Sequence, residues 1–131
     1  MVSVVIPSYG RFATLVRCVE SIRSSDPVPP GGVEVVVVTS GYSDAEIDSL
    51  RPYCKTVVLG HPESTSTSRN AGAASSLGDF LLFIDDDNVV APDAVWQLWH
   101  SLERQQDTCL VGPAMYYCGQ PERRGCRGGR G

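Results

Sequence analysis

The chain has 131 residues, 42% of them hydrophobic and 20% charged, which suits a single globular domain with a sizeable core and leaves no room for two. Its formal charge of -4 offers no footprint for nucleic acid or an anionic membrane, and it conceals an asymmetry, since four of the eleven basic residues (Arg123, Arg124, Arg127, Arg130) fall in the last nine positions. Five cysteines, Cys18, Cys54, Cys109, Cys118 and Cys126, are odd in number and lack CxxC spacing, which argues against a disulfide framework or a zinc knuckle and makes reduced, cytoplasmic thiols the default.

Val2 to Ile6 is β-branched and apolar and predicts a first strand, which Pro7-Ser8-Tyr9-Gly10 breaks. The same stretch is too short for a signal-peptide core or a membrane span, and no later run approaches spanning length. Attachment to the inner face of a membrane is left open. From Arg11 the apolar positions Phe12, Leu15, Val16, Val19 and Ile22 recur at helical spacing. Pro27 to Gly32 is a loop, Val33 to Val38 a second strand, and Ser43 or Asp44 caps a short helix reaching Leu50. Lys55 to Leu59 predicts a short third strand near an edge. A helix follows through Ser68 to Leu77, and then Phe80 to Ile84 reads as a fourth strand buried on both faces. Pro92 and Asp93 open a last helix with Ala94, Val95, Leu98 and Leu102 on one face. Beyond Val111 the pattern degrades. Ala114 to Tyr117 extends briefly, and residues 119–131, rich in glycine and arginine, read as a disordered tail after a domain covering 1–118.

Strands alternating with helices predict an α/β fold, Rossmann-like, with a mostly parallel sheet and right-handed crossovers. If the strand order is 3-2-1-4, the chain reverses between its first and fourth strands, and such switch points form ligand crevices. That order brings the Pro7 to Arg11 loop beside Asp85-Asp86-Asp87, with Thr39 to Asp44 flanking. Three adjacent carboxylates repel one another unless a positive group neutralises them, and hard cations such as Mg²⁺ or Mn²⁺ take oxygen ligands of this kind together with substrate phosphates. The plain alternative is a solvated acidic turn.

With Ile6-Pro7-Ser8-Tyr9 at the end of strand one, Arg69-Asn70-Ala71-Gly72 at a helix start, and Asp85-Asp86-Asp87-Asn88 followed by Pro92-Asp93, the chain resembles family 2 glycosyltransferases of the GT-A fold. The resemblance implies an inverting transferase that takes a sugar from a nucleoside diphosphate sugar with Mg²⁺ or Mn²⁺ and passes it to an acceptor glycan, lipid or protein. Residue by residue it implies that Asp87 is a metal ligand, that Asp85 shares that task or binds substrate, and that Asp86 contacts the ribose or sugar. Asp85 and Asp86 have an alternative role as helpers that orient a neighbour. Pro7, Ser8, Tyr9 and Arg11 match the nucleotide-binding loop, while Arg69 and Asn70 match a pair suited to an anion at a helix start. Tyr9 has a competing role as a packed ring and Arg69 as a surface charge.

Thr39, followed by Ser40, stands where the family often has an acid that holds uracil, which leaves the base open because a hydroxyl is no fixed negative acceptor. Asp44 suits a helix cap better than a base contact. His61 and His100 earn no catalytic role. Family members normally continue with an acceptor-binding half that carries the general base, and no motif gives Glu103, Asp107 or Glu122 that role. The expectation is a donor half without the catalytic half, from a truncated or frameshifted reading frame, with a basic RNA-binding tail as the alternative. Competing functions are a non-catalytic nucleotide-sugar module or subunit and a metal-dependent nucleotidyltransferase. A dehalogenase-type phosphatase is disfavoured, because its nucleophile would stand where Pro7-Ser8 does.

Overall fold

A computed structural model describes residues 1–113 and, by backbone alone, the strand residues 116–117 and 120–124. Four parallel strands, β1 (Val2–Tyr9), β2 (Val33–Ser40), β3 (Lys55–Val58) and β4 (Phe80–Phe83), lie in the order β3-β2-β1-β4, as the alternation predicts. The connecting helices are α1 (Phe12–Arg23), α2 (Asp44–Leu50) and α3 (Thr65–Ala74), and α4 (Ala94–Arg104) follows β4.

Alternation along the strands divides the core. Val2, Val4 and Ile6 of β1 and Val35 and Val37 of β2 pack with the buried stripe of α1 (Leu15, Cys18, Val19, Ile22), with Leu50 of α2 and with Val95 of α4. Val5, Val36 and Val38 face the other way, toward Ala71 of α3. Gly72 permits that second contact, since a Cβ there would collide with Val5 and come within 3.0 Å of Val38. Small residues over Ala71 to Ala74 therefore let α3 lie close on β1 and β2.

The structure corrects several boundaries. β1 does not stop at Ile6 but runs through Pro7 to Tyr9, with Pro7 opposite Val38. The carbonyl of Val5 accepts from Ile84 on the β4 side, while Gly10 N–H donates to Ser40 on the β2 side. Pro7 thus turns its donor-less nitrogen toward β4, whose pairing with β1 ends at Val5, so no ladder bond is lost. α3 starts at Thr65, not Ser68, because Ser64 caps it by accepting from Thr67 N–H at 3.1 Å. Ser43 caps α2 in a capping box with Glu46, and Asp44 is its first helical residue, so of the two expected caps it is Ser43 that serves.

β4 is not buried on both faces. It is an edge strand in the described residues, and Leu81 and Phe83 are 45% and 44% exposed because α3 covers β1 and β2 instead. Within the tail expected to be disordered, Gln120–Arg124 forms a strand antiparallel to Tyr116–Tyr117, where paired tyrosines favour extended backbone. Residues 119 and 125–131 lie outside the described residues.

Candidate functional site

An open cleft of about 520 Å³ lies where β1, β2 and β4 end, against the first two turns of α3. The extra residues of β1 carry Pro7, Ser8 and Tyr9 into its wall, and Gly10, at φ 60°, turns the chain so that Arg11 follows them. The Tyr9 ring rests over Gly41, where a Cβ would sit 2.9 Å from the ring and the backbone has φ +71°, so only glycine suits both demands.

The three aspartates part company. Asp86 is 1% exposed, accepting from Ser8 Oγ at 2.6 Å and from Arg11 Nη2 at 2.5 Å. Asp85 is exposed and accepts from Arg69 Nη2 at 3.2 Å. Asp87 is also exposed, and its one polar contact among the described residues is Asn88 Nδ2 at 3.4 Å. The repulsion expected of the triplet is relieved by arginines at two of its members. Arg69 sits in the second turn of α3 rather than at its start, and its Nε is buried without an acceptor, leaving a donor unused beside the cleft.

Thr39 does not reach the cleft. It shares the face of Val35 and Val37, is fully buried, and donates to the Val57 carbonyl at 3.4 Å, so strand alternation leaves Ser40 as the residue of β2 that lines the site. Asn70 is exposed but turned one helical step away from Arg69, outside the lining. Glu103 and Asp107 are exposed elsewhere.

Sequence reasoning missed four residues. Thr65 and Ser68 line the cleft from the α3 N-terminus, signalled only by the Ser-Thr-Ser-Thr-Ser run that caps and opens that helix. Glu63 lines it as well, 2.5 Å from His61 Nε2. Tyr42 is the fourth. Its hydroxyl lies 2.5 Å from Ser8 Oγ and accepts from Arg11 N–H at 3.2 Å, and burial raises its phenol above the ordinary pKa. An aromatic residue amid small polar ones in a strand-end loop was the available signal. Beneath the site, Cys18 Sγ lies 3.7 Å from the Asp85 carbonyl, and burial, then the charges of Asp86, Asp87 and Asp85, pushes its thiol up to about 12, so it is no nucleophile.

Among the described residues no three His, Cys, Asp or Glu side chains converge as a metal cage. Asp85 and Asp87, two exposed carboxylates on one cleft, instead fit a hard cation that keeps water and substrate phosphates for the rest of its shell. Asp86 does not fit, because protein donors occupy both its oxygens.

The model of glycosyl transferase family 2 matches residues 3–127, nearly the whole chain. The chain belongs to this family. Among its curated relatives, a glycosyltransferase of Bacillus subtilis described as "Putative glycosyltransferase EpsH" is 26% identical over 118 residues, covering 86% of this chain and 33% of the relative. The pre-mycofactocin glycosyltransferase of Mycobacterium tuberculosis is 35% identical over 100 residues, covering 72% of this chain and 19% of that one. Residues 1–349 of TarS from S. aureus superpose with TM-score 0.67 at 20% identity, covering 87% of this chain and 39% of theirs. The mannosyltransferase PcManGT of Pyrobaculum calidifontis, solved with GDP-Man and Mn²⁺, gives TM-score 0.67 at 19% identity, over 85% of this chain and 35% of its own. These structures share the GT-A fold with the family 2 chain. The chain spans about a third of the length of the first two curated relatives.

Proposed function

We propose that this family 2 domain binds a nucleoside diphosphate sugar and presents it for transfer, with inversion, to an acceptor glycan, lipid or protein. The carrying observation is that Asp85, Asp87, Arg11 and Arg69, delivered by three different connections of the sheet, share one cleft. A diphosphate presents several anionic oxygens, which paired arginines and the amino end of α3 favour. Mg²⁺ or Mn²⁺ held by Asp87 and Asp85 would supply a Lewis acid that takes up charge on the departing diphosphate. Arg69, already beside Asp85, is 40% exposed and offers further guanidinium N–H groups to a phosphate oxygen. Ser8 holds Asp86 in place, and Tyr9 offers its exposed ring face to a base. Ser40 offers the base one hydroxyl.

TarS has been solved with UDP-GlcNAc and PcManGT with GDP-Man, so both uracil and guanine donors belong in the test. No general base is assigned among the described residues. Cys18, Cys54 and Cys109 are free thiols. No helix among the described residues is long and apolar enough to cross a membrane. Calorimetry with UDP-, GDP- and dTDP-sugars, with and without Mn²⁺, tests the reading. Binding that requires Mn²⁺ is expected. Failure to bind any of them overturns the reading, and binding unaffected by Mn²⁺ removes the metal from Asp85 and Asp87.

A further inference from the structure

The polar contacts behind the cleft close into a ring whose direction follows from counting protons. Ser8 has one hydroxyl proton, and it goes to Asp86 Oδ2, so the 2.5 Å contact between Ser8 and Tyr42 is donated by the phenol. The Tyr42 oxygen accepts the backbone N–H of Arg11, and the guanidinium of that same arginine donates to Asp86 Oδ1. The circuit therefore runs from Arg11 N–H to Tyr42, to Ser8, to Asp86, and back to Arg11 through its side chain. It ties together the connections that follow β1, β2 and β4.

The arginine is 57% exposed and the carboxylate 1%, so the acid is the anchor and the cation is what the ring presents. One Nη2 proton is committed to Asp86, and among the described residues the remaining guanidinium donors stay free for a ligand. The geometry points to Asp86 and Tyr42 as positioning residues that hold Arg11 preset toward the anionic part of the donor, with Asp86 taking no part in metal binding. This inference rests on the donor-binding reading. Presetting matters because a free arginine loses much rotamer freedom on binding, whereas one already held does not.

The test is titration calorimetry of UDP and GDP with Mn²⁺ on the full chain, in a double-mutant cycle of Tyr42→Phe and Arg11→Ala. Tyr42→Phe removes one hydroxyl and preserves the ring volume. It is expected to weaken nucleotide binding roughly three- to tenfold in the parent chain, the worth of one hydrogen bond, and to have no further effect beside Arg11→Ala. Manganese affinity alone, read by electron paramagnetic resonance of the free ion, is expected to be unchanged in Tyr42→Phe and Asp86→Asn and lost in Asp87→Asn. Equal losses in both arginine backgrounds, or a lower melting temperature with unaltered nucleotide affinity, overturn the inference while the donor-site reading stands. Loss of manganese binding in Asp86→Asn overturns it too. A parent chain that binds neither nucleotide overturns both.

Discussion

The two ends of the sheet use similar side chains to opposite purposes. At the amino ends of the strands, buried Ser3 donates to Glu34 at 3.0 Å and accepts from Gly78 N–H at 2.8 Å, while Glu34 also accepts from Leu77 N–H at 3.0 Å. A Cβ on Gly78 would sit 2.5 Å from Ser3 Oγ and 2.8 Å from the Met1 carbonyl, so the loop before β4 is clamped onto β1. The acid there satisfies a serine hydroxyl and one backbone N–H of the loop. At the carboxyl ends the serine and the buried acid, Ser8 and Asp86, satisfy a tyrosine and an arginine instead, and that arginine faces solvent. A carboxylate that meets a strand serine and a loop N–H locks the loop, whereas one that meets a long cation aims it.

The sharpest way to break this contrast is to remove the outward acid. A nucleoside diphosphate at a hundred times its dissociation constant stabilises by about 2.7 kcal/mol, and Asp87→Ala is expected to abolish the Mn²⁺-dependent part of that shift in thermal melts. Next comes Arg11→Ala, which strips the buried Asp86 of its cation. It is expected to cost about 2 kcal/mol in urea unfolding, below the value for a fully buried pair because the guanidinium is half in water, and to weaken nucleotide binding as well. At the clamped end, Glu34→Ala is expected to cost about 1 kcal/mol in the same unfolding experiment and to leave nucleotide affinity untouched. Reduced affinity in that variant would erase the distinction between the ends.

The smallest effect at neutral pH concerns Cys18. Its folded pKa of about 12 lies above the ordinary 9.0, so between those values the folded state binds more protons than the unfolded one. The stabilisation is complete below pH 9.0 and is lost as pH rises toward 12. Cys18→Ser is expected to flatten that alkaline decline in unfolding titrations. At neutral pH, iodoacetamide is expected to label exposed Cys109 and to spare Cys18 and Cys54 until urea unfolds the chain, as peptide mass mapping would show.

Much of the architecture was legible because burial stamps a period on the sequence. The valine runs of β1 and β2 and the helical spacing from Phe12 to Ile22 placed their elements to within a few residues, and the strand order supposed for an alternating chain is the one found. Ends were harder. Pro7 looks like a terminator until β4 is seen to stop short, and β4 looks doubly buried until α3 is seen to lie elsewhere. In the site, Pro7, Ser8, Tyr9, Arg11, Ser40, Arg69 and the three aspartates do line one cleft, but Thr39 and Asn70 point away from it. A neighbour in sequence is on the opposite face of a strand, so a motif locates a functional side chain only to within one residue.

By itself the sequence determined the family, the parallel sheet and the corner where charge gathers, because those depend on residue type and spacing along the chain. Only the tertiary structure decided that Asp86 is an anchor while Asp85 and Asp87 face the cleft, and that Tyr42 joins the site at all. Those roles rest on hydrogen bonds between residues 31 to 78 positions apart, and no local pattern records which oxygen meets which proton.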